Sequence, residues 1–429
     1  MTAVTTGLLF GVFPALHSTR SGLVTTIRAN AGNLTVTRAA ARFRAGLVTA
    51  QIALSMTLLI LAGLFMRSLV NIGNVDLGLR TESIVTFAIQ PEQNGYEQER
   101  SRLLFERVEQ ELGALPGVIA VSNALVPVLA GNSWGTDVNV EGFERGPDVD
   151  QNSRLNVLGA GYFATLDVPL LAGREFTEQD VKDGPRVAIV NEAFLRKFDL
   201  GRDAVGKRMS DSGTELDMEI IGIVRDAKYN SVKDEMPAMF FTPWRQGTRI
   251  GSLTFYVRAA GEPEQVMRAI QPLIARVDPN LPVENLKSLG QQVKENIFLD
   301  RFIGTLSAAF AGLATLLAAV GLYGVLAYTV ERRTREIGVR MALGADGGRV
   351  RGMVLRQVAI MMLIGGIVGL AGAWGLGRVM GSVLYQVDGA DPIVFAAAVI
   401  VLTLFAFAAG YIPALRASRV DPLNALRYD

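Results

Sequence analysis

Long uncharged apolar runs divide the chain into membrane-spanning and soluble parts. Outside residues 71–300, four apolar runs of at least 20 residues contain no Asp, Glu, Lys or Arg. At a rise of about 1.5 Å per helical residue, each run is long enough to cross the ~30 Å hydrocarbon core of a bilayer. The pattern therefore predicts an α-helical membrane protein with four complete transmembrane helices. These helices are predicted at residues 46–70, 301–330, 357–378 and 393–413.

Between the first and second complete helices, residues 71–300 show short strand-like and helix-like patterns in alternation. Runs rich in β-branched or aromatic residues, such as 83–89 and 219–224, are typical of strands, whereas 97–115 and 264–277 place apolar residues at helical spacing. The segment is therefore predicted to be a large mixed α/β extracytoplasmic domain with two subdomains. One subdomain is built from both ends of the segment, and the other from a strand-rich insert at about 131–249.

An internal repeat gives the beginning of the chain an interpretation. Gly-Val-Phe-Pro-Ala-Leu-His-Ser-Thr-Arg at residues 11–20 matches Gly-Tyr-Ile-Pro-Ala-Leu-Arg-Ala-Ser-Arg at 410–419, where the last predicted helix ends. We therefore expect residues 1–16 to be the remnant of the last membrane helix of a preceding, duplicated unit. A coincidental end to an amphipathic N-terminus is the alternative. A signal peptide fits less well because the positive n-region is missing.

The charge distribution predicts which side of the membrane each part faces. Net charge is only +1, but residues 71–300 hold 24 Lys and Arg against 34 Asp and Glu, while the rest of the chain holds 18 against 7. Short basic segments remain on the cytoplasmic side of a membrane. The basic segment 17–45, the loop 331–356 and the tail 414–429 are therefore assigned to the cytoplasm, and 71–300 to the other side of the inner (plasma) membrane.

Few residues are suited to catalysis or metal binding. The chain has no Cys, one His and none of the common metalloprotease or hydrolase motifs. Residues 201–208 begin like a phosphate-binding loop, but Arg208 stands where a Ser or Thr is needed to hold Mg²⁺. We expect no catalytic residue, no metal and no bound cofactor, and no nucleic-acid partner.

The spans contain small residues, and near the membrane centre they contain no Asp, Glu, Lys or Arg. Ion-coupled carriers and channels usually retain ionisable groups near the membrane centre, so the spans resemble a moving lever more than a pore. One helix carries a small residue at every fourth position, which lets a second helix approach closely. That helix packs either within one bundle or at the seam of a dimer. The predicted helix-packing residues are Gly365, Gly369, Ala373 and Gly377.

The basic loop between the second and third spans is the most distinctive stretch. It reads ERRTREIGVRMALGA at residues 331–345. Gly338 and Gly344 bracket a short segment in which Ile337 and Met341 share a helical face, beside positive charges that can pair with acidic groups of a partner. A protein-docking loop is one interpretation, and a basic loop lying on anionic lipid headgroups is the other.

The outer domain contains the segments VAIVNEAFLRKF and AVGKRM, and the tail reads PALRASRVDPLNALR. Together with the basic loop, these segments resemble permeases of the MacB/FtsX type. Those permeases are membrane subunits of ABC transporters with four helices per unit, and the resemblance covers residues 39–429. It implies docking of the loop on a separate cytoplasmic ABC ATPase, which binds the ATP. By position, the docking residues are Glu336, Ile337, Gly338, Arg340, Met341, Leu343, Gly344 and Ala345.

The resemblance leaves two functions open. The chain is either the permease of an exporter or extractor of a hydrophobic or peptide-like substrate, or a mechanotransmitter that regulates an extracytoplasmic partner such as a cell-wall hydrolase. Further expected partners are a second permease unit, a periplasmic adaptor or effector, and membrane lipid. The repeat is similar to a subgroup with two units in one chain, from which this sequence departs because it lacks the first unit.

Overall fold

The computed structural model describes residues 33–144, 149–211, 215–247, 249–343 and 346–419. The predicted helix remnant at residues 1–16 lies outside these ranges. The chain forms two compact units. The described residues of Met1–Ser68 and Ile303–Asp429 make up the membrane unit, and those of Leu69–Phe302 make up the extracytoplasmic unit.

Ten α-helices occur in the described part of the chain. In chain order they are α1 Asn33–Gly73, α2 Gln98–Gly113, α3 Tyr162–Leu166, α4 Glu192–Lys197, α5 Pro263–Val277, α6 Leu289–Asn296, α7 Phe298–Arg332, α8 Thr334–Ala342, α9 Gly347–Met380 and α10 Pro392–Ala417.

Four of these helices are long and apolar enough to cross a membrane, namely α1, α7, α9 and α10. The prediction of four complete spans is confirmed. Each helix extends beyond the uncharged run that predicted it, because helical backbone hydrogen bonding continues into polar flanks that no longer face hydrocarbon. Residues 33–45, which the charge pattern assigned to a cytoplasmic segment, are the first turns of α1.

Apolar side chains and a few polar bonds hold the membrane unit together. Ile52, Met56 and Ile60 of α1 are buried against residues of α7 and α9. Ser55 Oγ donates to the carbonyl oxygen of Ala314 at 2.8 Å, and Thr57 Oγ1 donates to that of Gly369 at 3.0 Å. Such interhelical bonds satisfy hydroxyl groups that lipid could not.

The extracytoplasmic unit is built on one mixed sheet, with twelve strands among the described residues. They are β1 Ile84–Ile89, β2 Val118–Ala124, β3 Trp134–Asp137, β4 Asn139–Val140, β5 Asn152–Leu158, β6 Leu170–Gly173, β7 Arg186–Asn191, β8 Arg208–Ser210, β9 Met218–Val224, β10 Met239–Pro243, β11 Leu253–Ala259 and β12 Glu284–Ser288. Their order is β12-β1-β11-β2-β5-β10-β7-β9-β8-β4, with β3 beside β5 and β6 beside β9. Pairs β5–β10 and β7–β9 are parallel.

Two hydrophobic cores lie along this sheet. In the first, Phe87 and Phe255 stack at 5.4 Å and are covered by α2 and α5. In the second, Phe194 of α4 packs on Phe240 of β10. The first core draws on both ends of the segment and the second on its middle. One sheet runs through both cores, so the division into subdomains with an insert at about 131–249 stays a prediction.

Candidate docking surface on the cytoplasmic loop

The basic loop between α7 and α9 folds as the short helix α8. The chain bends at Arg333 but keeps helical bonding, since the Ile337 amide donates to the Arg333 carbonyl oxygen at 2.8 Å. Thr334 Oγ1 donates to the Glu331 carbonyl oxygen at 2.8 Å. This bond gives a hydrogen-bond donor to a carbonyl group at the end of α7. The helix ends at Ala342, where the Leu343 amide still bonds Val339.

One face of α8 is buried against the membrane unit. Ile337 is 1% exposed and lies in the same apolar cluster as Leu326 of α7 and Val354 of α9. Gly338 is buried, and Met341 is half-buried against that cluster. These three members of the predicted docking set therefore hold the helix against the membrane unit, and the Ile337 side chain is covered by it.

The opposite face of α8 is open. Val339 is 41% exposed and Leu343 is 82% exposed, and their i, i+4 spacing puts them on neighbouring turns. Glu336 and Arg340 form an ion pair of 2.6 Å beside them, with both side chains about half exposed. The exposed apolar pair with its adjacent charges is a surface that a protein can cover. Gly344 and Ala345 lie outside the described residues.

Val339 was missing from the predicted set. Its spacing of four residues from Leu343 is visible in the sequence. However, the i, i+4 pair Ile337 and Met341 is equally visible, and only the position of α7 and α9 shows which pair is covered.

The small residues of α9 face α1 within the same chain. A Cβ atom added at Gly365 would lie 2.8 Å from the Thr49 carbonyl oxygen, and one added at Gly369 would lie 2.6 Å from that of Ala53. Ala373 is fully buried, and Gly377 is packed against Gly389 in the turn before α10. This face of α9 is thus occupied and is not free to form the seam of a dimer.

The extracytoplasmic unit contains a cavity of about 470 Å³ beside the edge strand β12. Its wall combines apolar side chains such as Leu129 with polar ones such as Thr86 and Asn296. Lys287 and Glu295 form an ion pair of 2.6 Å in this wall, where the bond lowers the pKa of Glu295. The volume lies in the range of about 300 to 1,000 Å³ that is usual for small-molecule sites.

Two family models together match most of the chain. The MacB-like periplasmic core domain matches residues 45–273, and the FtsX-like permease C-terminal domain matches residues 308–422. The first match alone covers more than half of the sequence. The chain belongs to the family of FtsX-like permeases with a MacB-like periplasmic core domain. As such a permease it is a multi-pass protein of the inner membrane, and the unit between α1 and α7 is periplasmic.

Curated relatives of this FtsX-like permease are distant in sequence. The probable export ATP-binding/permease protein MacB of Pseudomonas entomophila is 25% identical over 296 residues, covering 66% of this chain and 43% of that protein. The uncharacterized ABC transporter permease YknZ of Bacillus subtilis is 22% identical over 289 residues, covering 65% of this chain and 71% of that protein. The chain thus spans less than half the length of the MacB relative.

Among solved structures, the periplasmic region of MacB from Actinobacillus actinomycetemcomitans matches 54% of this chain and 97% of its own. The sequence identity is 18% and the TM-score is 0.35.

Proposed function

We propose that this permease is the membrane subunit of an ABC exporter or extractor, and that a separate cytoplasmic ATPase drives it by docking on α8. The observation that carries the proposal is the division of α8 into two faces. Its buried face locks the helix to α7 and α9, while Val339 and Leu343 stay exposed. A force applied to the exposed face therefore reaches two spans directly, because closely packed helices move together.

The charges of α8 suit a protein partner. Arg340 is held in place by Glu336 at 2.6 Å, and its Nη1 atom lies 3.4 Å from Met353 Sδ. A guanidinium group fixed in this way can bind a partner carboxylate with little further loss of side-chain entropy. The apolar pair then provides the desolvated centre of the contact and the ion pair its polar rim.

The docking proposal is tested with Leu343→Asp. A carboxylate at this exposed position leaves the core intact but places an unpaired charge in the contact with the ATPase. We expect binding of the ATPase to weaken at least about thirtyfold, equivalent to about 2 kcal/mol, with matching loss of ATPase stimulation in proteoliposomes. Normal stimulation by the variant would rule out docking on this face.

Leu103→Asp is the matched control, because Leu103 is 62% exposed on the periplasmic helix α2. It makes the same chemical change on the other side of the membrane and should leave stimulation unchanged. Met341→Asp is a poor test, since Met341 packs against the core of the membrane unit and its replacement would disturb the fold of the loop as well.

The periplasmic cavity favours a protein that handles cargo over a pure transmitter of force. A wall of mixed polarity suits a substrate that is partly apolar, such as a lipopeptide or a hydrophobic drug. Affinity purification from native membranes separates the two functions. Recovery of an ATPase with a periplasmic adaptor supports export, whereas recovery of a cell-wall hydrolase as the periplasmic partner supports mechanotransmission.

A further inference from the structure

A groove of about 380 Å³ opens between the cytoplasmic ends of α1 and α9. The two helices touch at Gly365, where the Thr49 carbonyl oxygen leaves no room for a side chain. Beyond this contact they separate, and Gly46 of α1 faces an open space. Residues of α1, of α9 and Arg333 at the bend before α8 line the groove.

Two arginines at the groove have no ion-pair or hydrogen-bond partner for their side chains among the described residues. They are Arg333 and Arg356. Of the other cytoplasmic arginines, Arg340 pairs with Glu336 and Arg416 donates to the Tyr323 hydroxyl at 3.1 Å. Arg349 and Arg351 do not line the groove. Two guanidinium groups directed at one groove favour an anionic group, and phosphate matches their planar donors well.

The groove continues from these charges onto apolar side chains. Arg356, Ile360 and Ile364 follow one another at four-residue spacing and therefore share a face of α9. Ile360 is 48% exposed and Ile364 is 52% exposed. The apolar run of α9 begins at residue 358, so Arg356 lies at the membrane surface and the two isoleucines lie within the hydrocarbon region.

We propose that this groove binds one anionic phospholipid of the cytoplasmic leaflet. Arg333 and Arg356 hold its phosphate, and an acyl chain runs along Ile360 and Ile364. A free phosphate ion would use the arginines but leave the isoleucines without a partner. The bound lipid also steadies the bend at Arg333 from which α8 begins. Basic pockets between membrane helices on the cytoplasmic side are suited to such headgroups.

The test uses the full-length protein in detergent, with bound lipid measured by native mass spectrometry during titration with phosphatidylglycerol or phosphatidylcholine. The double variant Arg333→Gln, Arg356→Gln should bind phosphatidylglycerol at least about tenfold more weakly, because one arginine near an anionic headgroup contributes about fivefold. The matched control is Arg349→Gln, Arg351→Gln, which removes the same charge from the start of α9 outside the groove. Equal losses in both double variants would overturn the proposal.

Gly46→Leu tests the groove without changing its charge. The added side chain enters open space and favours the helix, so the fold should tolerate it. We expect weaker phosphatidylglycerol binding, and unchanged binding would overturn the proposal even if the arginine variant failed to fold. Millimolar inorganic phosphate should not displace the lipid, and displacement would mean that the site recognises phosphate alone. No ATPase takes part, so this result is independent of docking on α8.

Discussion

Helices α1 and α9 approach each other closely at glycines of α9 because these residues have no side chain. A Cβ atom added at Gly369 would lie 2.6 Å from the Met56 Cβ atom and from the Ala53 carbonyl oxygen. Backbone cannot yield to such a contact as the end of a long side chain can. In contrast, an atom added at Gly375 on the same helix meets nothing within 4 Å.

Gly369→Ala should therefore lower the stability of the membrane unit by about 1 to 3 kcal/mol, because the added methyl group forces the helices apart. Gly375→Ala makes the same change on an open face and should be neutral or slightly stabilising. Thermal unfolding of both variants in detergent compares them directly. Equal melting temperatures would show that α1 and α9 do not pack as closely as described.

Asp180 is a buried carboxylate whose charge stabilises the periplasmic unit. Both of its oxygens accept hydrogen bonds of 2.8 Å from Arg174, and one also accepts from the Thr177 amide at 2.8 Å. Burial raises the pKa of Asp180, but these bonds outweigh burial and its pKa lies below the usual value. The charged form is thus favoured in the folded state.

Asp180→Asn should lower the free energy of unfolding by about 2 kcal/mol near neutral pH, since charge-assisted hydrogen bonds are lost. The pKa in the folded state lies below the unfolded value of about 3.9, so the stabilisation is present above that pH and is lost as the pH falls through the folded pKa. The difference between the two proteins should therefore shrink as the pH falls below about 4. Urea unfolding followed by tryptophan fluorescence, to which the buried Trp244 contributes, measures the difference, and a gap that persists in acid would contradict the prediction.

Among the elements, the periplasmic ends of α1 and α10 are tied by one ion pair. Asp391 caps α10 by accepting bonds from the Ile393 amide at 3.0 Å and the Val394 amide at 3.2 Å, and it pairs with Arg67. Arg67 and Arg378 lie near the periplasmic ends of α1 and α9. The first pairs with this carboxylate, and the second lies 4.1 Å from the centre of the Trp374 ring.

The two roles of Asp391 can be separated by substitution. Asp391→Asn keeps an oxygen that caps the helix and loses only the charge, whereas Asp391→Ala loses both and should cost about 1 kcal/mol more. Arg67→Gln combined with Asp391→Asn should reveal a coupling energy of about 1 kcal/mol in a double-mutant cycle of unfolding measurements. Additive effects of the two substitutions would mean that the pair contributes nothing.

At the scale of the whole molecule, the orientation rests on where the basic residues lie, and the absence of Cys makes it directly measurable. Leu343→Cys and Leu103→Cys each add one exposed thiol, the first after α8 and the second in the periplasmic unit. A membrane-impermeant maleimide added to intact spheroplasts should label only Leu103→Cys. Leu343→Cys should react only after permeabilisation, and the reverse pattern would invert the topology.

Much of this architecture follows from the sequence alone. The four spans and their orientation depend on transfer of side chains between water and lipid, which each residue experiences whatever its neighbours are. The mixed α/β character of residues 71–300 follows from local periodicity in the same way. The strand order does not follow from the sequence in this way, because β1 pairs with β11 and β12, which are far away in the chain. Local periodicity does not indicate which distant strands pair.

The candidate docking site was only partly predictable for the same reason. Its place in the chain, residues 331–345, stands out by charge and glycine spacing. Which side chains a partner could reach was decided by the tertiary structure, since α7 and α9 cover Ile337 and leave Val339 and Leu343 exposed. The partner of Arg67 was equally hidden, because Asp391 lies more than 300 residues away and only folding brings the two side chains together. The preference of a side chain for water or lipid is thus a property of each residue, whereas the contacts between side chains depend on how the helices pack.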